Sequence, residues 1–183
     1  MVWWRVDSAP AGRLDEVVID AAAIARRVGE LAREIEADYC GRLPVLIGVL
    51  KSSVVFLADL ARAIHAPVEF DILAISSYTR AAERYGGVRM ETDASMPLEG
   101  RHLIVVEDIV DTGLTLQYVL RTLGARLPAS IAVCSLLDRP HRRIVDVPLR
   151  YVGFEIGDDF LVGYGLDYRE AYRHLPELHR LLF

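Results

Sequence analysis

The sequence predicts an α/β fold, a mostly parallel sheet with helices on both faces, and three observations lead there. The short, continuous, β-branched runs at Val45–Leu50, Val68–Ile75, Leu103–Val106 and Ile131–Leu137 have the apolarity of strands covered on both sides. Stretches with apolar residues at helical spacing fall between them. Such alternation favours right-handed crossovers, and hence parallel pairing.

Between Asp20 and Tyr39, the residues Ile24, Val28, Leu31 and Ile35 recur on one helical face, with Arg26, Arg27, Glu30, Arg33, Glu34 and Glu36 on the others. Asp20 is placed to cap the first turn, and Gly41 with Pro44 to end the helix. Val45–Leu50 reads as a central strand. Lys51-Ser52-Ser53 leads from it into a helix carrying Phe56, Leu57, Leu60 and Ile64, which stops before Pro67. After the strand Val68–Ile75, the polar stretch from Ser76 to Pro97 holds Gly86-Gly87 and no clear periodicity, which predicts a mobile loop or hairpin over one end of the sheet. Leu103–Val106 runs into the loop Glu107–Gly113, then a helix face of Leu116, Val119, Leu120 and Leu123 closed by Gly124.

Composition narrows the function classes. The 183 residues, 52% apolar and 26% charged, describe a single globular domain rather than a disordered segment, with no repeat and no second core. At this length a domain buries roughly 70% of its unfolded surface, so it needs neither disulfide nor structural metal. A net charge of −5 argues against nucleic acid and anionic membranes, and requires any anionic ligand to be held locally. Cys40 and Cys134 lie far apart and outside any zinc spacing, the pattern of two ordinary buried thiols in a reducing compartment. No apolar run approaches the ~18 residues of a membrane span, and Met1–Pro10 lacks the features of a secretory signal, so the expected location is cytoplasmic. Trp3 and Trp4 are expected to anchor the amino terminus or an oligomer contact.

The chemistry concentrates after the third of these strands. Asp111-Thr112-Gly113-Leu114-Thr115 has the composition of a turn whose backbone N–H groups and hydroxyls converge on a phosphate at a helix start, although Asp111 or Thr112 could simply cap that helix. Glu107 and Asp108 precede it as adjacent carboxylates at the end of an apolar strand, where burial without a partner is costly. They call for a metal or for hydroxyl groups. Ribose hydroxyls and Mg²⁺ both fit, and the segment reads as a grip on a phosphorylated ribose.

The run V-V-E-D-I-V-D-T-G-L-T, Val105 to Thr115, closely resembles the phosphoribosyl-diphosphate signature of type I phosphoribosyltransferases. V-L-K-S-S, Val49 to Ser53, and V-G-F-E-I-G-D-D-F-L-V-G-Y-G-L-D-Y-R-E-A-Y-R-H-L, Val152 to Leu175, narrow the resemblance to the hypoxanthine-guanine phosphoribosyltransferases. It implies one domain over 1–183, with a core of about 43–150, a small hood from about 1–20 and 151–183, and a flexible lid loop. It also implies Mg²⁺, transfer of a 5-phosphoribosyl group from its diphosphate to N9 of a 6-oxopurine, and a homodimer or homotetramer.

Residue by residue, the resemblance implies that Asp111 faces purine N7 as general base or acid, while Glu107, Asp108 and Asp111–Thr115 bind the phosphoribosyl group. Leu50, Lys51, Ser52 and Arg173 would bind diphosphate, with a non-proline cis peptide just before Lys51. Lys51 is the only lysine beside 20 arginines, which favours a functional role for it. Arg139, Phe160 and the Leu161 backbone would bind the purine, with Arg139 donating to the 6-oxo group; Glu107, Asp108 and Asp167 would hold the metal; Ser77-Tyr78 would lie on the lid. Two positions depart from the family pattern. Ser52 stands where glycine is usual, crowding a close backbone approach, and Arg139 where lysine is usual, with a bulkier fork. Two alternatives are a xanthine- or pyrimidine-preferring transferase and a non-catalytic nucleotide sensor on the same fold.

Overall fold

The computed structural model describes residues 12–77 and 88–183. Its main sheet has six strands. In chain order these are β2 (Val45–Leu50), β3 (Glu69–Ser77), β4 (Val88–Thr92), β5 (His102–Val110), β6 (Ser130–Asp138) and β7 (Tyr151–Glu155). They lie in the order β4-β3-β2-β5-β6-β7, all pairings parallel except the antiparallel β3–β4 pair. That pair is the base of a hairpin within the stretch expected to be a loop or hairpin. Ser77 ends β3, and Tyr78 lies outside the described residues.

Three helices cover the sheet: α1 (Ala21–Asp38), α2 (Val54–Ala63) and α3 (Leu114–Gly124). Strand alternation divides the core accordingly. Leu46, Ile104, Val106, Cys134 and Leu136 pack with the buried faces of α1 and α2. Val45, Ile47, Leu103, Val105 and Val133 pack with Leu116, Val119 and Leu123 of α3 on the opposite side. The Asp20 side chain caps α1 by accepting from the Ala23 N–H at 2.7 Å, as expected. Neighbouring strands β2 and β5 thus send their helices to opposite faces. The crevice this opens at their carboxyl ends is where open α/β sheets bind ligands.

A second, antiparallel sheet joins β1 (Arg13–Ile19), β9 (Leu178–Leu182) and β8 (Leu161–Val162), in the order β1-β9-β8. Its strands fall within the segments 1–20 and 151–183, where the family resemblance implies a hood. β7 pairs with β6 from Cys134↔Tyr151 to Asp138↔Glu155, so residues from Tyr151 to Glu155 belong to the main sheet. Residues 1–11, with Trp3 and Trp4, are outside the described range.

Three local expectations are corrected. Cys134 is buried but Cys40 is exposed, because it follows the C-cap residue Tyr39 and has left the apolar face of α1. Gly124 is the last residue of α3 rather than its terminator; the chain turns at Leu127, with φ of +55°. Glu107 and Asp108 lie within β5, not in a loop, since pairing with β6 continues to Val110↔Asp138. Among the described residues, no helix is long and apolar enough to cross a membrane.

Candidate active site

Because Glu107 and Asp108 are consecutive in a strand, they project to opposite faces of the sheet. Asp108 lines a cavity of about 190 Å³ with Ser52, Asp111, Arg139, Phe160, Leu161 and Asp167. Glu107 lines a smaller one of about 100 Å³ with Asp111, Thr112, Gly113 and Thr115. Both carboxylates are buried. Burial pushes Glu107 well above the usual carboxylate range, and the charge of Asp108 adds to the rise. Burial also raises Asp108, against hydrogen bonds from the Ser52 hydroxyl and backbone N–H groups and the positive charge of Arg173. The ionised forms therefore favour a bound cation or hydroxyl donors.

The connection from β5 to α3 is only Asp111-Thr112-Gly113; Leu114 and Thr115 already belong to the helix. Gly113 has φ of +85°, and a Cβ there would stand 2.8 Å from the Val145 carbonyl oxygen, so glycine lets the turn close. The Thr112 carbonyl accepts from Ile144 and Val145 N–H at 2.9 and 3.2 Å, which fixes the turn from outside. No side chain caps α3 at Gly113, and Thr112 Oγ1 reaches the Leu114 N–H only at 3.5 Å. The N-terminal N–H groups of α3 are thus left for an anion, and Asp111 is not spent on capping.

Asp111 instead faces two arginines. Its Oδ2 is 3.7 Å from Arg139 Nη1, and its Oδ1 is 3.4 Å from Arg142 Nε. Oδ1 is buried without a hydrogen-bond partner among the described residues. Arg139 is buried and anchored by its own backbone, since its N–H donates to the Val110 carbonyl at 3.0 Å. Its Nη2 donates to the Asp159 carbonyl at 2.7 Å. Sequence reasoning did not find Arg142. In the run His141-Arg142-Arg143 nothing separates it from Arg143, which pairs with Asp138.

Phe160 forms one wall of the Asp108 cavity and remains 42% exposed, so much of its ring is open to a ligand. Its carbonyl accepts from the Leu181 N–H at 2.9 Å, and Leu161 begins β8. Asp167 lies on the same cavity. Its Oδ1 is 2.8 Å from Arg173 Nη2, and its Oδ2 accepts from the Glu170 N–H at 2.8 Å. Arg173 Nη1 donates to the Gly165 carbonyl at 2.8 Å. Arg173 lines a separate groove of about 570 Å³ against α1 and α2, and meets the site through Asp167.

The Leu50–Lys51 peptide bond is cis. Lys51 is exposed, its Nζ 3.2 Å from Glu170 Oε1. Gly165, with φ of +99°, packs so tightly on the Lys51-Ser52 loop that a Cβ there would lie 2.2 Å from the Ser52 carbonyl oxygen. Among the described residues no cluster of three or more His, Cys, Asp or Glu side chains could hold a metal alone. Asp108 and Asp167 on one cavity nevertheless suit Mg²⁺, which takes one or two carboxylates and completes its shell with water and substrate phosphates. Glu107 faces away from that pair.

Comparison with known proteins agrees with this geometry. Hypoxanthine phosphoribosyltransferase of Salmonella typhimurium is 44% identical over 91% of this chain and 95% of its own length. Hypoxanthine-guanine phosphoribosyltransferase of Mycobacterium avium is 45% identical over 93% of this chain and 87% of its own. A crystal structure of hypoxanthine-guanine phosphoribosyltransferase from Bacillus anthracis superposes with a TM-score of 0.89, at 41% identity, over 93% of this chain and 100% of that one. The sequence model of the phosphoribosyl transferase domain matches residues 17–169, which take in both carboxylates of β5, the Asp111 turn and Phe160, and on this ground the chain belongs to the phosphoribosyl transferase family.

Proposed function

We propose that the chain transfers a 5-phosphoribosyl group from phosphoribosyl diphosphate to N9 of hypoxanthine or guanine, giving the nucleoside monophosphate and diphosphate in purine salvage in the cytoplasm. One observation carries this reading: Asp111, Arg139 and Phe160 converge on a single cavity beside the uncapped start of α3.

In this reading the N–H groups at the start of α3 and the hydroxyls of Thr112 and Thr115 hold the 5′-phosphate, Asp108 holds the ribose, and Glu107, on the other face of β5, lies under the phosphate turn. The base stacks on Phe160, and Arg139 donates to its 6-oxo group, an arrangement that disfavours the 6-amino group of adenine. N9 forms its bond to C1 as the bond from C1 to diphosphate breaks, and the purine loses a proton. Asp111, at N7, orients the base, handles that proton and stabilises positive charge developing on the ribose. Lys51 and Ser52 would contact the departing diphosphate, and Arg173, expected there from the family resemblance, would act on it through Asp167. Mg²⁺, held by Asp108 and Asp167, would supply neutralisation of that charge.

The test incubates purified protein with phosphoribosyl diphosphate, Mg²⁺ and each base in turn, scoring nucleotide formation and competition between bases. Nucleotide from hypoxanthine or guanine supports the reading. Xanthine or a pyrimidine as the preferred base would move the specificity, and tight nucleotide binding without turnover would identify a sensor. Sedimentation of the same preparation tests the homodimer or homotetramer.

A further inference from the structure

Phe160 is held by two other rings. Its ring meets Tyr168 with centroids 5.8 Å apart at 88°, and Phe183 at 5.3 Å and 74°. Tyr168 and Phe183 close the triangle at 5.1 Å and 63°. The Arg169 guanidinium lies 5.2 Å over the Tyr168 ring. The three rings come from three places in the chain: the residue before β8, the turns that follow that strand, and the residue after β9.

Phe183 is 76% exposed, so burial gives little reason for its position. Its contacts are those of an edge-to-face partner, a geometry that fixes the angle between rings. A half-exposed ring at a cavity mouth is otherwise free to reorient between rotamers, and ordering it on binding costs affinity. Two perpendicular neighbours remove that freedom before the ligand arrives.

We propose that Phe183 is a positioning residue for the base: together with Tyr168 it sets the plane of Phe160, so that a flat purine stacks without first ordering the ring. The inference rests on the assignment of Phe160 to the purine. Because Phe183 touches Phe160 and does not itself line the cavity, its effect falls on base affinity.

The test is steady-state kinetics of wild type and the variants Phe183→Ala, Phe183→Leu, Phe183→Trp and Phe160→Ala, varying the base at saturating phosphoribosyl diphosphate and then the reverse. Ala and Leu at Phe183 are expected to raise KM for hypoxanthine about fivefold, the scale of the lost edge contacts, with kcat and KM for phosphoribosyl diphosphate changed by less than about twofold. Trp restores the base KM. Leu retains apolar bulk without a ring, so it separates ring geometry from simple packing. If Phe160→Ala raises the base KM while both Phe183→Ala and Phe183→Leu leave it at the wild-type value, the inference is wrong and the role of Phe160 stands. Equal loss of kcat and of affinity for both substrates, tracking a lowered melting temperature, would also overturn it. An unchanged base KM in Phe160→Ala removes the purine assignment itself.

Discussion

The Asp111 carboxylate stands 3.7 Å from the guanidinium of Arg139, and both line the cavity that Phe160 walls. The two residues arrive from neighbouring parallel strands, Asp111 just after β5 and Arg139 just after β6, and the register Val110↔Asp138 sets them side by side. In the proposed reading, a purine that presents its N7–O6 edge to the pair meets an acceptor for its ring nitrogen and a donor for its 6-oxo group.

The first consequence concerns turnover. Asp111→Asn keeps the side-chain shape and removes the charge, so kcat is expected to fall by about 10²–10⁴-fold while inosine monophosphate binds within a few-fold of wild type. Steady-state rates and calorimetric titration of the nucleotide read the two effects separately.

In the proposed reading Arg139 sets base selection. Arg139→Met leaves the Asp159 carbonyl without its donor and the 6-oxo group unpaired, and kcat/KM for hypoxanthine should drop by about 10–100-fold. For a purine without a 6-substituent the loss should be smaller, so the ratio of the two specificity constants is the informative readout.

Gly165 packs the C-terminal segment against the Lys51-Ser52 loop, to which the proposed reading assigns diphosphate. Gly165→Ala forces a Cβ against the Ser52 carbonyl at a φ of +99°, and is expected to destabilise the fold by about 2 kcal/mol or more while raising KM for phosphoribosyl diphosphate. Urea denaturation and the substrate KM check the two parts.

Asp71 on β3 offers a pH test remote from the site. Burial pushes its carboxyl up, but N–H groups of Ile72, Ser95 and Met96 and the Ser95 hydroxyl outweigh this and leave it below the usual range. A depressed folded-state value means that its stabilisation is present above the ordinary carboxylate pKa and lost as pH falls through the depressed one. Asp71→Asn should therefore cost about 1–3 kcal/mol at neutral pH, with the gap to wild type closing below about pH 4. Urea denaturation at several pH values measures it.

The main sheet and its helices were legible because each central strand is apolar on both faces and each helix carries one apolar stripe, as at Ile24, Val28, Leu31 and Ile35. The second sheet was not legible from periodicity: β8 is two residues long and β1 has an irregular exposure pattern, so only the family resemblance pointed to a hood. The Asp111 turn was readable from its own sequence. Arg142 and Phe183 were not, since each owes its place to contacts with residues distant in the chain, Asp111 and Phe160. The end of β5 was misplaced because Glu107 and Asp108 break the apolar run while the backbone ladder continues beneath them.

A crystal structure with inosine monophosphate and Mg²⁺ bears most directly on the claim that one crevice at the carboxyl ends of β2, β5 and β6 holds sugar, phosphate and base together. The phosphate should sit on the N–H groups from Thr112 to Thr115, the ribose at Asp108, and the purine between Phe160 and Arg139. A nucleotide found elsewhere, for instance in the groove between α1, α2 and Arg173, with the Asp111 turn empty, would contradict it.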